Sequence, residues 1–140
     1  MAPALRIEGS RFVDRLGREV ILRGINVSGD CKLPAKPDLP SREERGFWEG
    51  DYVSFVGRPF SLASAPEHFA RLRAWGYDEV RYIFAWEALE HAGPGVYDEE
   101  FVRHTIETLR MAGEFGFRVF MDPHQDVVWF LYLHFIFSLA

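Results

Sequence analysis

Four polar side chains crowd into five positions near the end of the chain, Asp122, His124, Gln125 and Asp126 in "MDPHQD". Two carboxylates, an imidazole and an amide offer acceptors, donors and movable protons to one ligand. Burying such groups without partners costs about 2–7 kcal/mol each, so their gathering behind the apolar run "FRVF" points to chemistry. Upstream, Arg81 lies inside "EVRYIFAW", where a fixed guanidinium can lower and orient a neighbouring carboxylate. Trp86, Glu87 and Glu90 follow it, Asn26 ends "ILRGIN", and Lys32 sits in "GDCK". A structural reading stands beside each functional one. Arg81 could balance Asp122 or Glu87, His124 could be a satisfied core histidine, Lys32 a solvated lysine, and Asn26 and Trp86 core or rim residues.

The flanking pattern tells which elements must hold these groups. In "SAPEHFARLRAWGYDEVRYIFAW", Ser64 followed by Glu67 predicts a capping box, and Phe69, Leu72 and Trp75 share a helical face. Gly76 marks the helix stop, and a strand follows directly. "GPGVYDEEFVRHTIETLRMAGEFGFRVFMD" repeats the design, with Asp98 as N-cap, Val102, Ile106, Leu109 and Phe115 at helical spacing, Gly116, and another strand. Before both units, "RFV" and "EVILRGINV" flank "DRLGR", which predicts a hairpin turning at Gly17 and leading into a first core strand over Ile21–Val27. From Ser28 to Leu62 the chain is irregular and rich in proline.

The order strand, helix, strand, helix, strand implies right-handed crossovers and a parallel sheet covered by helices. A dinucleotide-binding sheet would open its first helix from a glycine-rich turn, whereas "GINVSGDCKLP" runs into a proline-rich loop. The expected fold class is therefore α/β, about three βα units of a (β/α)8 TIM barrel preceded by a β-hairpin. In such a barrel the strand ends carrying Asn26, Trp86, Glu87 and Asp122 to Asp126 share one face.

Composition narrows the partners. The 140 residues are 48% hydrophobic and 26% charged, the make-up of an ordinary globular chain. Sixteen Lys and Arg against 21 Asp and Glu give a net charge of -5 without any basic run, so nucleic acid is not an expected partner. The single cysteine, Cys31, excludes an internal disulfide, and "MAPALRIEGS" lacks the order of a signal peptide. Both point to a reducing, cytoplasmic setting.

Three segments, "ILRGINVSG", "LRAWGYDEVRYIFAWEALEHAGPGVYDEEF" and "GFRVFMDPHQD", also resemble the first three strand-helix units of glycoside hydrolase family 5. Within that family the likeness is to fungal intracellular β-glucosidases of steryl glucosides and glucosylceramide, relatives of the endoglycoceramidases, and it reaches Val127. The resemblance implies a retaining β-glucosidase, without cofactor or metal, whose substrate is a β-glucoside of sterol or ceramide. It implies that Arg81 lies beneath the nucleophile carboxylate, that His124 and Asp126 face the glucose with Gln125 in support, and that Lys32 reaches toward the same sugar.

Retaining glycosidases use two carboxyl groups about 5–5.5 Å apart. In the family these are glutamates on strands four and seven, beyond the units recognisable here, and neither Glu87, Glu90 nor Asp126 matches them. No residue is assigned as catalytic, and the chain alone is expected to be inactive. Residues 1–127 read as barrel sequence and 128–140 as an apolar tail foreign to the family, which suggests a truncated gene product. The tail is shorter than the ~20 apolar residues of a membrane span, so no stable span is expected. A non-catalytic glycoside-binding fragment and a short membrane-associated protein are the alternative readings.

Overall fold

The structure is a computed structural model that describes residues 4–27, 29–36 and 53–124. Three parallel strands, β3 (Gly24–Asn26), β4 (Glu79–Ala85) and β5 (Arg118–His124), lie side by side in sequence order. Helix α1 (Ala65–Ala74) leads into β4, and α2 (Trp86–Glu90) and α3 (Glu99–Glu114) lie between β4 and β5. An antiparallel pair, β1 (Arg6–Glu8) and β2 (Arg11–Val13), precedes the sheet. The α/β alternation expected from the sequence is present.

Two matching corners set the geometry of the sheet. Gly76 and Gly116 take φ of 89° and 80°, values open to glycine at little cost. After α1, Gly76 N–H donates to Arg73 O and Tyr77 N–H to Leu72 O; after α3, Gly116 donates to Gly113 O and Phe117 to Ala112 O. Each is a Schellman closure, which satisfies the last helical carbonyls and points the chain back into a strand. Asp98 caps α3 by accepting from Phe101 N–H at 2.9 Å.

Alternation along the strands then sorts the side chains. Ile25, Val27, Val80 and Val119 join Phe69 of α1 and Ala112 of α3 in one core, while Phe84 packs with Phe55, Ala88 and Phe101 in a second. Arg81, Ile83 and Ala85 consequently occupy the face turned away from α1 and α3.

The hairpin expected across "DRLGR" is present in short form, with Gly17 at φ 75°, the antiparallel bridge Val13↔Glu19 and backbone bonds from Asp14 N–H to Arg18 O and from Val20 N–H to Phe12 O, while an antiparallel pair that turns at Gly9 precedes it without a counterpart in the sequence reading. Several local expectations fail for physical reasons. The first core strand is confined to Gly24–Asn26. Ser64 forms no capping box: its hydroxyl turns back to the Ser61 carbonyl at 3.1 Å, and Ala65 N–H already bonds Ser61 O. Trp75 is 66% exposed, beyond the stripe that buries Phe69. On α3 the buried stripe is Phe101, His104, Thr108 and Ala112, whereas Ile106 is exposed. Helix α2 lacks a counterpart in the sequence reading.

His104 gives the fold an acid-sensitive point. It is buried on α3, and burial lowers its pKa below the usual 6.5, opposed by a hydrogen bond with the Phe60 backbone that is too poorly formed to satisfy either ring nitrogen fully. The unfolded chain therefore binds this proton more readily, and stability is lost as pH falls below the usual histidine value. Urea midpoints are expected to drop between pH 7.5 and 5.5, and to drop less in His104→Gln. The raised Glu87 carboxyl works in the opposite direction, from its ordinary 4.5 upward, and the lowered Asp98 acts only below its ordinary 3.8. An unchanged pH slope in the variant would refute the assignment to His104.

Candidate active-site wall

On the face away from α1 and α3, polar side chains of three neighbouring strands join in one chain. Asn26 at the end of β3 is the register partner of Arg81, and Asp122 and His124 pair with Ile83 and Ala85 farther along β4. Arg81 Nη1 donates to Asn26 Oδ1 at 3.3 Å, and Arg81 Nη2 lies 2.6 Å from Asp122 Oδ2. The same Asp122 oxygen is 3.0 Å from His124 Nδ1. The choice between Asp122 and Glu87 as the counterion of Arg81 therefore falls on Asp122.

The side chains are 38% exposed for Arg81, 18% for Asp122 and 23% for His124, enough for a ligand to reach them and enough burial to strengthen the ion pair over a fully solvated one. Asp122 and His124 are two residues apart on one strand, so alternation alone puts them on one face. Their link to Arg81 depends on the register of β4 against β5, which the sequence does not reveal. Asp122, counted in the sequence among the polar groups of the strand end but given no part in sugar binding, is the member that joins Arg81 to His124.

The other described candidates lie on the short elements that follow β3 and β4. Lys32 is exposed at the end of a 3-10 turn, Gly29–Lys32, that follows β3 at the same end of the sheet. Cys31 in that turn is buried, and burial pushes its thiol up to about 12, so it is no nucleophile near neutrality. Trp86 opens α2 directly after Ala85, the partner of His124, and is 37% exposed. Glu87 is half-buried in α2, and burial raises its carboxyl, with His91 opposing. His91 Nε2 in turn sits 3.0 Å from Asp98 Oδ2, which fastens the α2–α3 connection. Gln125, Asp126 and the tail 128–140 lie outside the described residues.

Among the described residues, no cluster of three His, Cys, Asp or Glu side chains could hold a metal, and no helix is long and apolar enough to cross a membrane.

No family model matches the chain. Over 123 residues it is 59% identical to a glucosylceramidase of Aspergillus fumigatus, covering 88% of this chain and 16% of that protein. The chain is homologous to fungal lipid glucosidases. An ergosteryl-beta-glucosidase of Saccharomyces cerevisiae is 40% identical over 123 residues, 84% of this chain and 16% of its own length. The crystal structure of Cryptococcus neoformans sterylglucosidase 1 superposes with a TM-score of 0.77 at 49% identity, over 85% of this chain and 17% of the other. The glucosidase resemblance drawn from the motifs is thereby borne out, and the chain spans about a sixth of the length of these lipid glucosidases. Their names join one sugar, glucose, to unlike lipids.

Proposed function

We propose that these residues supply the glucose-binding wall of a retaining β-glucosidase of lipid glucosides, steryl glucoside or glucosylceramide, in a cytoplasmic setting. The wall would be the first three βα units of a (β/α)8 barrel preceded by a hairpin, residues 1–127, with 128–140 as an appended tail. The observation that carries this reading is the polar chain Asn26–Arg81–Asp122–His124, lined up on the face of a parallel sheet turned away from α1 and α3. In the complete site a nucleophile glutamate would rest against Arg81, and an imidazole and carboxylate at His124 and Asp126 would hold sugar hydroxyls, with Gln125 and Lys32 in support. None of these groups is itself acid or nucleophile, so binding and chemistry are divided along the polypeptide.

Titration of the isotopically labelled protein with methyl β-glucoside tests the binding half. Saturable shifts at Arg81 and His124 are expected, with an affinity on the order of 1 mM, since a handful of solvent-competed hydrogen bonds supports only about 4 kcal/mol. His124→Ala is expected to abolish them. No saturable change, or an equal response to a non-sugar polyol, would overturn the reading.

A further inference from the structure

We propose that Asp122 is the positioning residue of this wall: it locks His124 as the Nδ1–H tautomer, in which Nε2 is the ring's acceptor nitrogen. The ligand of the wall rests on the glucoside reading above, whereas the tautomer does not. A neutral imidazole carries one N–H, and a carboxylate oxygen 3.0 Å from Nδ1 can only accept. The proton therefore belongs on Nδ1.

Asp122 is itself held. Arg81 Nη2 contacts the same Oδ2 at 2.6 Å, and the guanidinium reaches across to Asn26 on the other side. Turning the carboxylate away from His124 would break a charge-assisted contact, so the orientation of the ring is fixed through three strands. An ion pair serving only to stitch strands together would not need the histidine on the shared oxygen. That oxygen makes Asp122 a support for His124 as well as a counterion, in the way that outer partners orient functional imidazoles elsewhere.

Because one oxygen serves both neighbours, the substitutions separate the roles. Asp122→Asn can set its carbonyl oxygen where Oδ2 lies and accept from both Arg81 and His124; Asp122→Leu cannot accept from either. Long-range 1H–15N correlation of the imidazole nitrogens at pH 7.5 reads the tautomer directly. The unsubstituted protein and Asp122→Asn are expected to show Nδ1–H at His124, and Asp122→Leu to revert to the mixture dominated by Nε2–H that an unconstrained imidazole adopts. An Nε2–H or averaged pattern in the unsubstituted protein overturns the proposal, as does a Leu variant with the original pattern. Should the Leu variant unfold, the other two decide, and loss of Nδ1–H in Asp122→Asn also counts against it. In the methyl β-glucoside titration, about a tenfold weaker affinity is expected for Asp122→Leu. A tautomer that follows Asp122 without any glucoside response upholds the positioning role and overturns the glucoside reading alone.

Discussion

Phe69→Ala is expected to lower stability by about 3–5 kcal/mol, a large share of the 5–15 kcal/mol that holds most domains folded. Phe69 is completely buried on α1. Its ring lies 5.4 Å from Phe60, 6.1 Å from Phe115 and 5.6 Å from Phe117, centroid to centroid, so one side chain joins α1 to the end of α3, to the segment entering β5 and to the connection before α1. Aromatic neighbours on several sides cannot all collapse into the space left, which puts the substitution at the costly end of large-to-small changes. Urea unfolding gives the answer: the midpoint should fall with little change in slope. A loss below about 1 kcal/mol would mean that the cluster closes over the gap and contributes little.

A polypeptide of these 140 residues is expected to release no glucose from steryl glucoside or glucosylceramide. Hydrolysis with retention needs a nucleophile and a separate acid about 5–5.5 Å away, and a positioned acid or base alone is worth about 10²–10⁴ in rate. Asp122 is engaged by Arg81 and His124, Glu87 is half-buried on α2, and the carboxylate of Asp98 is spent on a helix cap and on His91. A binding wall can orient the sugar without breaking its bond. The assay is glucose release against a blank prepared in the same way. Turnover that disappears on Asp122→Asn would contradict the division between binding and chemistry; turnover indifferent to any substitution in the chain would belong to a contaminant.

Period and punctuation made the alternation of elements readable, but not which flank of each helix would meet the sheet. On α3 the stripe Val102, Ile106, Leu109 is apolar throughout, yet Phe101, His104, Thr108 and Ala112 are buried. A 3.6-residue period fits both stripes, one position apart. The small Thr108 and Ala112 let the helix approach the sheet, where Tyr82 and Val80 are buried as well, and close approach outweighs the larger payload of Ile106. Ser64 misleads in a similar way, since Ser61 supplies an earlier acceptor that no spacing rule would favour. At the site, the i, i+2 relation of Asp122 and His124 is plain from the sequence. That Arg81 meets Asp122 rather than Glu87 follows only from the rung on which β4 and β5 pair.

The order of the sheet, β3-β4-β5, has a bearing on how the chain acquires its shape. Each strand is laid on the edge left by the one before it, and none has to slip between two strands already joined. The glycine corners turn each helix into its following strand through bonds made within a few residues, so a unit can prepare itself before meeting the sheet. During synthesis, which delivers residues in N-to-C order over seconds, β4 can settle on β3 while the residues of β5 are still being added. The wall that carries Arg81 is then in place first, and Asp122 arrives to find its partner waiting.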